Sequence, residues 1–186
     1  MVIGTEKLLQ LVKDKKLIDG LDKRELTNPE GTGFDLRVEK LFSLTSKTFL
    51  GITHRATPEL LEVVSYKPKS RRQQIYTIKP GDYYLSKTIE KVNMPTNLLA
   101  IIKPRTTLYR GGLIMRTGFC TPGYKGDLYF GLHNAGNQPF YLEMGARYAH
   151  IVFFEISGDL IRSYQGQWQG GRATTKEHTA GLEKQI

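Results

Sequence analysis

The sequence predicts a mainly β domain, a sandwich or barrel of short strands, and three observations carry that prediction. Its apolar segments are short, and several alternate apolar with polar residues, so that one strand face can be buried while the other meets water. Gly (19) and Pro (8) are spread along the chain and separate those segments with turn signals. From residue 74 onward the segments follow one another without helix-length patterns between them, which speaks against alternating α/β units.

Each element can be justified in order. Thr5 to Lys15 reads as a short helix with Thr5 as N-cap, and Leu8, Leu9, Leu11 and Val12 form a narrow apolar stripe. A loop with Asn28-Pro29-Glu30-Gly31 follows, then Phe34 to Leu44 alternates as a half-buried strand does. The stretch from Thr57 to Gln74, with Ser65-Tyr66-Lys67-Pro68-Lys69-Ser70-Arg71-Arg72 at its centre, is polar and basic and reads as an exposed excursion. Ile75–Ile78 and Tyr83–Leu85 flank Lys79-Pro80-Gly81-Asp82 as a hairpin would. Leu98–Ile102 is a continuous apolar run. Leu128–Asn134, Phe140–Leu142 and Ala149–Ile156 are further strands, parted by Gly136-Asn137 and Met144-Gly145. A glycine-rich tail closes the chain.

The 186 residues suit one compact domain, and 8 Phe, 10 Tyr and an apolar fraction of 39% supply a core. One cysteine, Cys120, permits no internal disulfide and fits a reducing compartment. Met1 to Lys16 holds no apolar stretch of signal-peptide length and no segment approaches a membrane span, so the expectation is a cytoplasmic, soluble protein. The net charge of +9 attracts polyanions of any kind. A solvated basic surface is the plainer account, with a nucleic-acid or phosphoprotein contact through Lys67 to Arg72 as the alternative.

Several chemistries are ruled out. A zinc-dependent base deaminase needs two or three cysteines and a histidine beside a glutamate. One cysteine and the scattered His54, His133, His150 and His178 cannot build that centre. No Walker loop or dinucleotide fingerprint is present. Cys120 reads as a buried structural thiol unless a base lies beside it.

Two regions remain informative. Lys103 to Leu113 carries Arg105, Thr106, Thr107 and Arg110 on a turn after an apolar strand, and guanidinium forks with hydroxyls suit phosphate oxygens. A helix start with incidental arginines has the same appearance. Gly118 to Asp127 reads as a β-hairpin whose glycines let backbone approach a ligand, with Tyr124 either stacking on a sugar or base or plugging the hairpin.

These motifs, in this order, resemble the dCTP deaminase/dUTPase superfamily. Gly33-Phe34-Asp35-Leu36-Arg37 is similar to its Gly-x-Asp-Leu-Arg strand, and Thr88 to Pro95 to its Thr-x-Glu…Pro segment. Pro104-Arg105-Thr106-Thr107-Leu108 resembles Pro-Arg-Ser-Ser-Leu, and Gly118 to Gly126 resembles Gly-x-Ile-Asp-x-Gly-Tyr-x-Gly. Asn134 to Pro139 and Gly145 to Phe153 are similar to the strands that follow. The tail, Tyr164 to Gly171, looks more like the deaminase lid than the dUTPase arm.

The resemblance implies a homotrimer of distorted jelly-roll β-barrels with sites at subunit interfaces. Residues 1–162 would form the barrel with its N-terminal helix, and 163–186 a flexible lid. The ligand implied is a deoxynucleoside triphosphate, dCTP or dUTP, with Mg²⁺ carried by its phosphates and no metal ligand from the protein. By matching position, Arg105, Thr106, Thr107 and Arg110 bind phosphates or support the base. Gly118, Phe119, Thr121 and Tyr124 hold the deoxynucleoside, His150 meets phosphate or a neighbouring strand, and Tyr164, Trp168 and Gln169 close over the triphosphate.

The departures bear on catalysis. Thr121 stands where dUTPases carry an Asp that activates water, and Gly131 where the deaminases carry a Glu base. Neither a threonine hydroxyl nor a bare glycine takes a proton from water near neutral pH. Gln167 replaces the usual lid lysine, and His150 a frequent glutamine. On the strand after the hairpin, Asp127 and His133 share a face with Gly131, at roughly 13 Å and roughly 7 Å along the strand. His133 is thus the nearer surrogate base, set against an ordinary solvated histidine. Three readings follow: an enzyme deaminating dCTP to dUTP or hydrolysing dUTP, a non-catalytic nucleotide-binding trimer acting as sensor or regulator, and a polyanion binder.

Overall fold

The computed structural model of the protein describes residues 1–175 and 182–184. The chain begins with α1 (Thr5–Lys15), β1 (Ile18–Asp19), α2 (Lys23–Thr27) and β2 (Phe34–Leu44). Next come β3 (Phe49–Leu50), β4 (His54–Ala56), β5 (Leu60–Ser65), β6 (Ile75–Ile78), β7 (Tyr83–Asn93) and β8 (Leu98–Pro104). Then follow α3 (Thr106–Arg110), β9 (Leu113–Arg116), β10 (Phe119–Cys120), β11 (Lys125–Asn134), β12 (Phe140–Glu143), β13 (Arg147–Glu155) and β14 (Glu183–Lys184). The fold is mainly β, as the spacing of apolar segments predicts.

One antiparallel sheet dominates, in the order β10-β8-β13-β2-β7-β11-β9, with β1 added on β7 and β5 on β2. It curls because its long strands are bulged. Register shifts occur in β2 against β7 between Val38 and Lys40, and in β11 against β7 between Asp127 and Tyr129. Bulges of this kind bend a strand and increase its twist. The concave side is filled by alternate residues of the strands: Phe34, Leu36 and Val38 of β2, Leu128, Phe130 and Leu132 of β11, Ile151 and Phe153 of β13, all buried. Each such side chain contributes roughly 1.5–3 kcal/mol by leaving water. Tyr148 is fully buried, and its hydroxyl meets Ser86 Oγ at 3.1 Å, so its polar tip is not left unpaired. Glu90, also fully buried, accepts from Arg37 N–H at 2.8 Å and Arg37 Nε at 2.7 Å.

Helix α1 covers the predicted span, but its N-cap is Gly4, and Thr5 is already helical. Lys16, in the left-handed region at φ 51°, ends it. Three other details differ from expectation. The basic excursion contains a strand, β5, which pairs with β2, and only the residues on either side of it (57–59 and 66–74) are irregular. Lys79 to Asp82 is a turn, closed by Asp82 N–H to Lys79 O at 3.0 Å, yet it joins two sheets: β6 pairs with β12, not with β7. The predicted hairpin at 118–127 is likewise no self-paired hairpin. Its first arm, β10, pairs with β8, and its second, β11, pairs with β7 and β9. It is a finger that links two parts of the curled sheet. Among the described residues no helix is long and apolar enough to cross a membrane.

Candidate functional site

The finger is held by backbone bonds at its tip. Tyr124 N–H donates to Thr121 O at 3.1 Å, Gly123 N–H to Met94 O at 3.2 Å, and Met94 N–H to Tyr124 O at 2.8 Å. Gly123 sits at φ 81° and Gly126 at φ 138°, conformations that a side-chain-bearing residue rarely adopts. A Cβ on Gly126 would also run into the backbone of Gly170 and Gly171. The glycines thus let a second segment lie against the finger.

That segment is the tail. Tyr164 N–H donates to Pro122 O at 2.8 Å, and Gly170 N–H to Lys125 O at 2.7 Å. The Gln169 carboxamide bridges the finger, accepting from Lys125 N–H at 2.9 Å and donating to Gly123 O at 2.9 Å. The Tyr164 ring meets the Tyr124 ring edge-on at 5.6 Å between centroids. Trp168 is flanked by two guanidiniums, Arg55 at 4.8 Å and Arg172 at 5.4 Å from its ring centroid, a cation–π arrangement. Arg172 in turn holds Glu183 with Nη2 at 2.8 Å from both carboxylate oxygens.

Between finger and tail lies a cavity of about 350 Å³. Gly118, Phe119, Cys120, Thr121 and Tyr124 line its finger side, Tyr164, Trp168 and Arg172 its tail side, and Asp127 to Phe130 of β11 lie between, with other residues around them. Aromatic rings from finger, β11 and tail stand among its aliphatic and polar walls, an arrangement suited to a planar ring. Burial pushes the Cys120 thiol up to about 12, so it stays protonated near neutral pH and has no nucleophilic character there. Burial also raises the Tyr124 and Tyr129 phenols, which therefore act as neutral hydroxyls. The Tyr124 hydroxyl donates to Asp127 O at 2.5 Å.

A second cavity, about 340 Å³, opens beside Arg105, Thr106 and Thr107 at the start of α3. It is built from charges. Asp35, buried on β2, is ion-paired with Arg105, lies 3.3 Å from Arg147 Nη1 and 2.9 Å from His150 Nδ1. Buried Glu25 is 2.6 Å from Arg24 Nη1 and accepts from Asp35 N–H at 3.0 Å. Burial, then Arg147 and Arg24, lower the Arg105 guanidinium below its usual range. Here His150 makes its contact with a neighbouring strand.

The residues singled out in the sequence therefore fall into two groups. Gly118, Phe119, Thr121, Tyr124, Tyr164 and Trp168 meet around the first cavity, with Gln169 beside it on the finger. Arg105, Thr106, Thr107 and His150 meet around the second, and the two cavities share no wall. Arg110, the last residue of α3, lines neither. His133 is half-buried on β11 opposite Tyr83 and Ile114, away from the walls of both. His178 lies outside the described residues. At Gly131 a Cβ would collide with the Tyr83 hydroxyl, so a tyrosine fills the space a side chain there would need. Asp127 escaped sequence reasoning as a wall residue because strand distance from Gly131 says nothing of what the tail brings to it.

Comparison with known proteins accords with this architecture. Residues 2–156 match the family described as dCTP deaminase-like. A probable deoxyuridine 5′-triphosphate nucleotidohydrolase of Methanothermobacter thermautotrophicus is 30% identical over 171 residues, covering 91% of this chain and 99% of that protein. A dUMP-forming dCTP deaminase of Persephonella marina is 26% identical, covering 94% and 95%. A dCTP deaminase of Thermococcus kodakarensis is 34% identical over 96 residues, 52% of this chain and 62% of that one, so this match spans about three-fifths of the relative's length. Among solved structures, a 2′-deoxycytidine 5′-triphosphate deaminase from Agrobacterium tumefaciens shares the fold with a TM-score of 0.62 at 14% identity, over 82% of this chain and 48% of that one.

Proposed function

The chain belongs to the dCTP deaminase-like family, and from that premise we propose that it serves deoxynucleotide metabolism by binding a pyrimidine deoxynucleoside triphosphate beneath the finger. One observation carries this reading. Finger and tail border a cavity with aromatic rings in its walls, at the segment whose glycines allow close backbone approach. The triphosphate belongs with the Arg105 turn of a second copy, since in one chain the two cavities have no lining residue in common. That separation supports a homotrimer with sites between copies. Mg²⁺ enters with the triphosphate, whose phosphate oxygens suit that hard cation as ligands.

Hydrolytic deamination of dCTP to dUTP is the reaction that the relatives' activities suggest, with dUTP hydrolysis beside it. A specific observation favours a second reading, a trimer that senses nucleotide without hydrolysis. The Gly131 position is filled by Tyr83, Thr121 carries no carboxylate, and His133 lies apart from the cavity. Incubation with dCTP and dUTP in Mg²⁺, followed by melting and product analysis, separates the readings. Ligand at about 100 times its Kd adds roughly 2.7 kcal/mol and raises Tm by several degrees. Stabilisation with dUTP or pyrophosphate formed at enzymic rates establishes catalysis; stabilisation without product establishes the sensor. No stabilisation by either nucleotide removes the proposal.

A further inference from the structure

We propose that the loop between β5 and β6 is a docking surface for single-stranded nucleic acid, gripping its phosphates and seating a base on Tyr141. The inference goes beyond nucleotide binding at the finger and does not rest on it.

Lys67, Lys69, Arg71 and Arg72 place four of the chain's net nine positive charges within six residues. Residues 67–73 are all exposed, and among the described residues no carboxylate comes within ion-pair distance of any of the four cations. Glu62, on the adjoining β5, is engaged by Lys40 at 2.7 Å. A merely solvated charge run needs no fixed backbone, yet this one is built. Lys67 N–H donates to Gln74 Oε1 at 2.6 Å, and Gln74 Nε2 donates back to Lys67 O at 3.2 Å, closing the loop at its base. Within it, Ser70 N–H donates to Lys67 O at 2.9 Å and Arg72 N–H to Ser70 Oγ at 3.2 Å. Outside it, Tyr66 N–H donates to Glu39 O at 2.7 Å and Met144 N–H to Gln74 O at 2.8 Å. These bonds present the four cations together, which lowers the ordering cost of binding a polyanion.

The chemistry of the loop favours a phosphodiester strand. Protein interfaces draw affinity from buried aromatic and apolar anchors, and lipid surfaces from an apolar face that enters the bilayer. Residues 67–73 carry no apolar side chain beyond Pro68, so binding there comes from charge, as a nucleic-acid backbone is held. The loop runs straight into β6, whose outward Ile75 and Thr77 stand opposite Glu143 and Tyr141 of β12. Tyr141 is 69% exposed, an aromatic platform for a base. Glu143 is the one acid of β6 and β12, so the phosphates belong on the loop and the base at Tyr141. Bases are open to stacking only where a strand is unpaired, so the surface fits a single strand better than a duplex.

The test is fluorescence anisotropy of a labelled oligothymidylate of about 20 nucleotides, long enough for one binding site. The full chain is compared with Arg71→Ala/Arg72→Ala and Tyr141→Ala, each first checked for unchanged melting. With four phosphate contacts at roughly 0.7 counterion each, wild-type affinity is expected to fall roughly fiftyfold between about 50 and about 200 mM salt. The double variant keeps roughly half of that slope of log affinity against log salt. Tyr141→Ala weakens binding about fivefold or more and leaves the slope alone, and wild type binds a duplex at least about fivefold more weakly. Saturating Mg-dCTP changes none of this. Absence of salt-sensitive binding overturns the inference, and so does a double variant that binds with wild-type affinity and slope. Displacement by Mg-dCTP overturns it by putting the strand at the finger. Equal duplex binding, or a Tyr141→Ala chain that binds like wild type, overturns the single-strand assignment. Polyglutamate, or phosphatidylserine–phosphatidylcholine vesicles, bound as tightly as the oligonucleotide and lost in the double variant overturns it in favour of an acidic protein or a membrane.

Discussion

Around the finger, Tyr124, Tyr164 and Trp168 border about 350 Å³, with Asp127 as the lone carboxylate among the described lining residues. Around Asp35, three carboxylates and three guanidiniums crowd a cavity of nearly equal size, 340 Å³. The difference teaches that volume alone says little about what a cavity can hold. The first has aromatic walls open to a neutral ring, and its carboxylate, Asp127, is ion-paired with Lys87 and Lys91. In the second, Arg105 is ion-paired with Asp35, so a phosphate arriving there shares that guanidinium with a buried carboxylate. An anion arriving there must compete with buried carboxylates, whereas a ring arriving at the finger meets largely apolar and aromatic walls.

This contrast can be broken or sharpened by experiment. The largest expected effect concerns Cys120, a wall of the apolar cavity. Its thiol is raised from 9.0 to about 12 by burial alone, so near pH 8 its thiolate fraction falls on the order of 1,000-fold below that of an unfolded chain. Labelling by a thiol-specific disulfide reagent is expected to be negligible in the native protein at pH 8 and rapid in denaturant. Because the folded value is the higher one, the associated stability is complete below the unfolded pKa and is lost as pH climbs from about 9 toward 12. Fast native labelling at pH 8 would mean that the cavity is wet and polar.

Next in size is Asp35→Ala in the charged cavity. Removing the shared acceptor leaves Arg105 and Arg147 without their central partner, at a cost of about 3 kcal/mol and about 10 °C in Tm. An unchanged melting curve would show that the guanidiniums are simply solvated. Trp168→Ala removes a face of the aromatic cavity. It is expected to weaken dCTP binding about tenfold, the scale of one base–aromatic stack, while the melting midpoint shifts little because the residue sits on the tail. The smallest effect is expected at Gly131→Ala: the new methyl group meets the far end of Tyr83, an exposed ring able to swing outward, so the cost stays below about 1 kcal/mol. A larger loss that Tyr83→Phe relieves would show that this hydroxyl is fixed in place.

Much of this was legible in the sequence, and the gaps have physical reasons. The span of β2 matches its apolar alternation, because one-sided burial writes a period of two into the residues. Pairing left no such mark. The turn at Lys79–Asp82 and the finger at 118–127 carry hairpin residues, but a tight reversal is needed equally when a chain passes from one sheet to another. The finger and tail residues around the cavity were individually visible; that Asp127 joins them was not, since the contact depends on Gly170 and Gly171 seating the tail against the finger. The neutralisation of Arg105 was equally hidden, because Asp35 and Arg105 are seventy residues apart in the chain. What a basic residue in a motif can bind depends on which acid the fold has already given it.

A crystal structure of the chain grown with Mg-dCTP addresses the central claim most directly. The expected map shows the pyrimidine ring among Tyr124, Tyr164 and Trp168, and the phosphates directed to the Arg105 turn of a neighbouring copy. A ring bound elsewhere, or an aromatic cavity left without nucleotide at saturating ligand, would contradict the account.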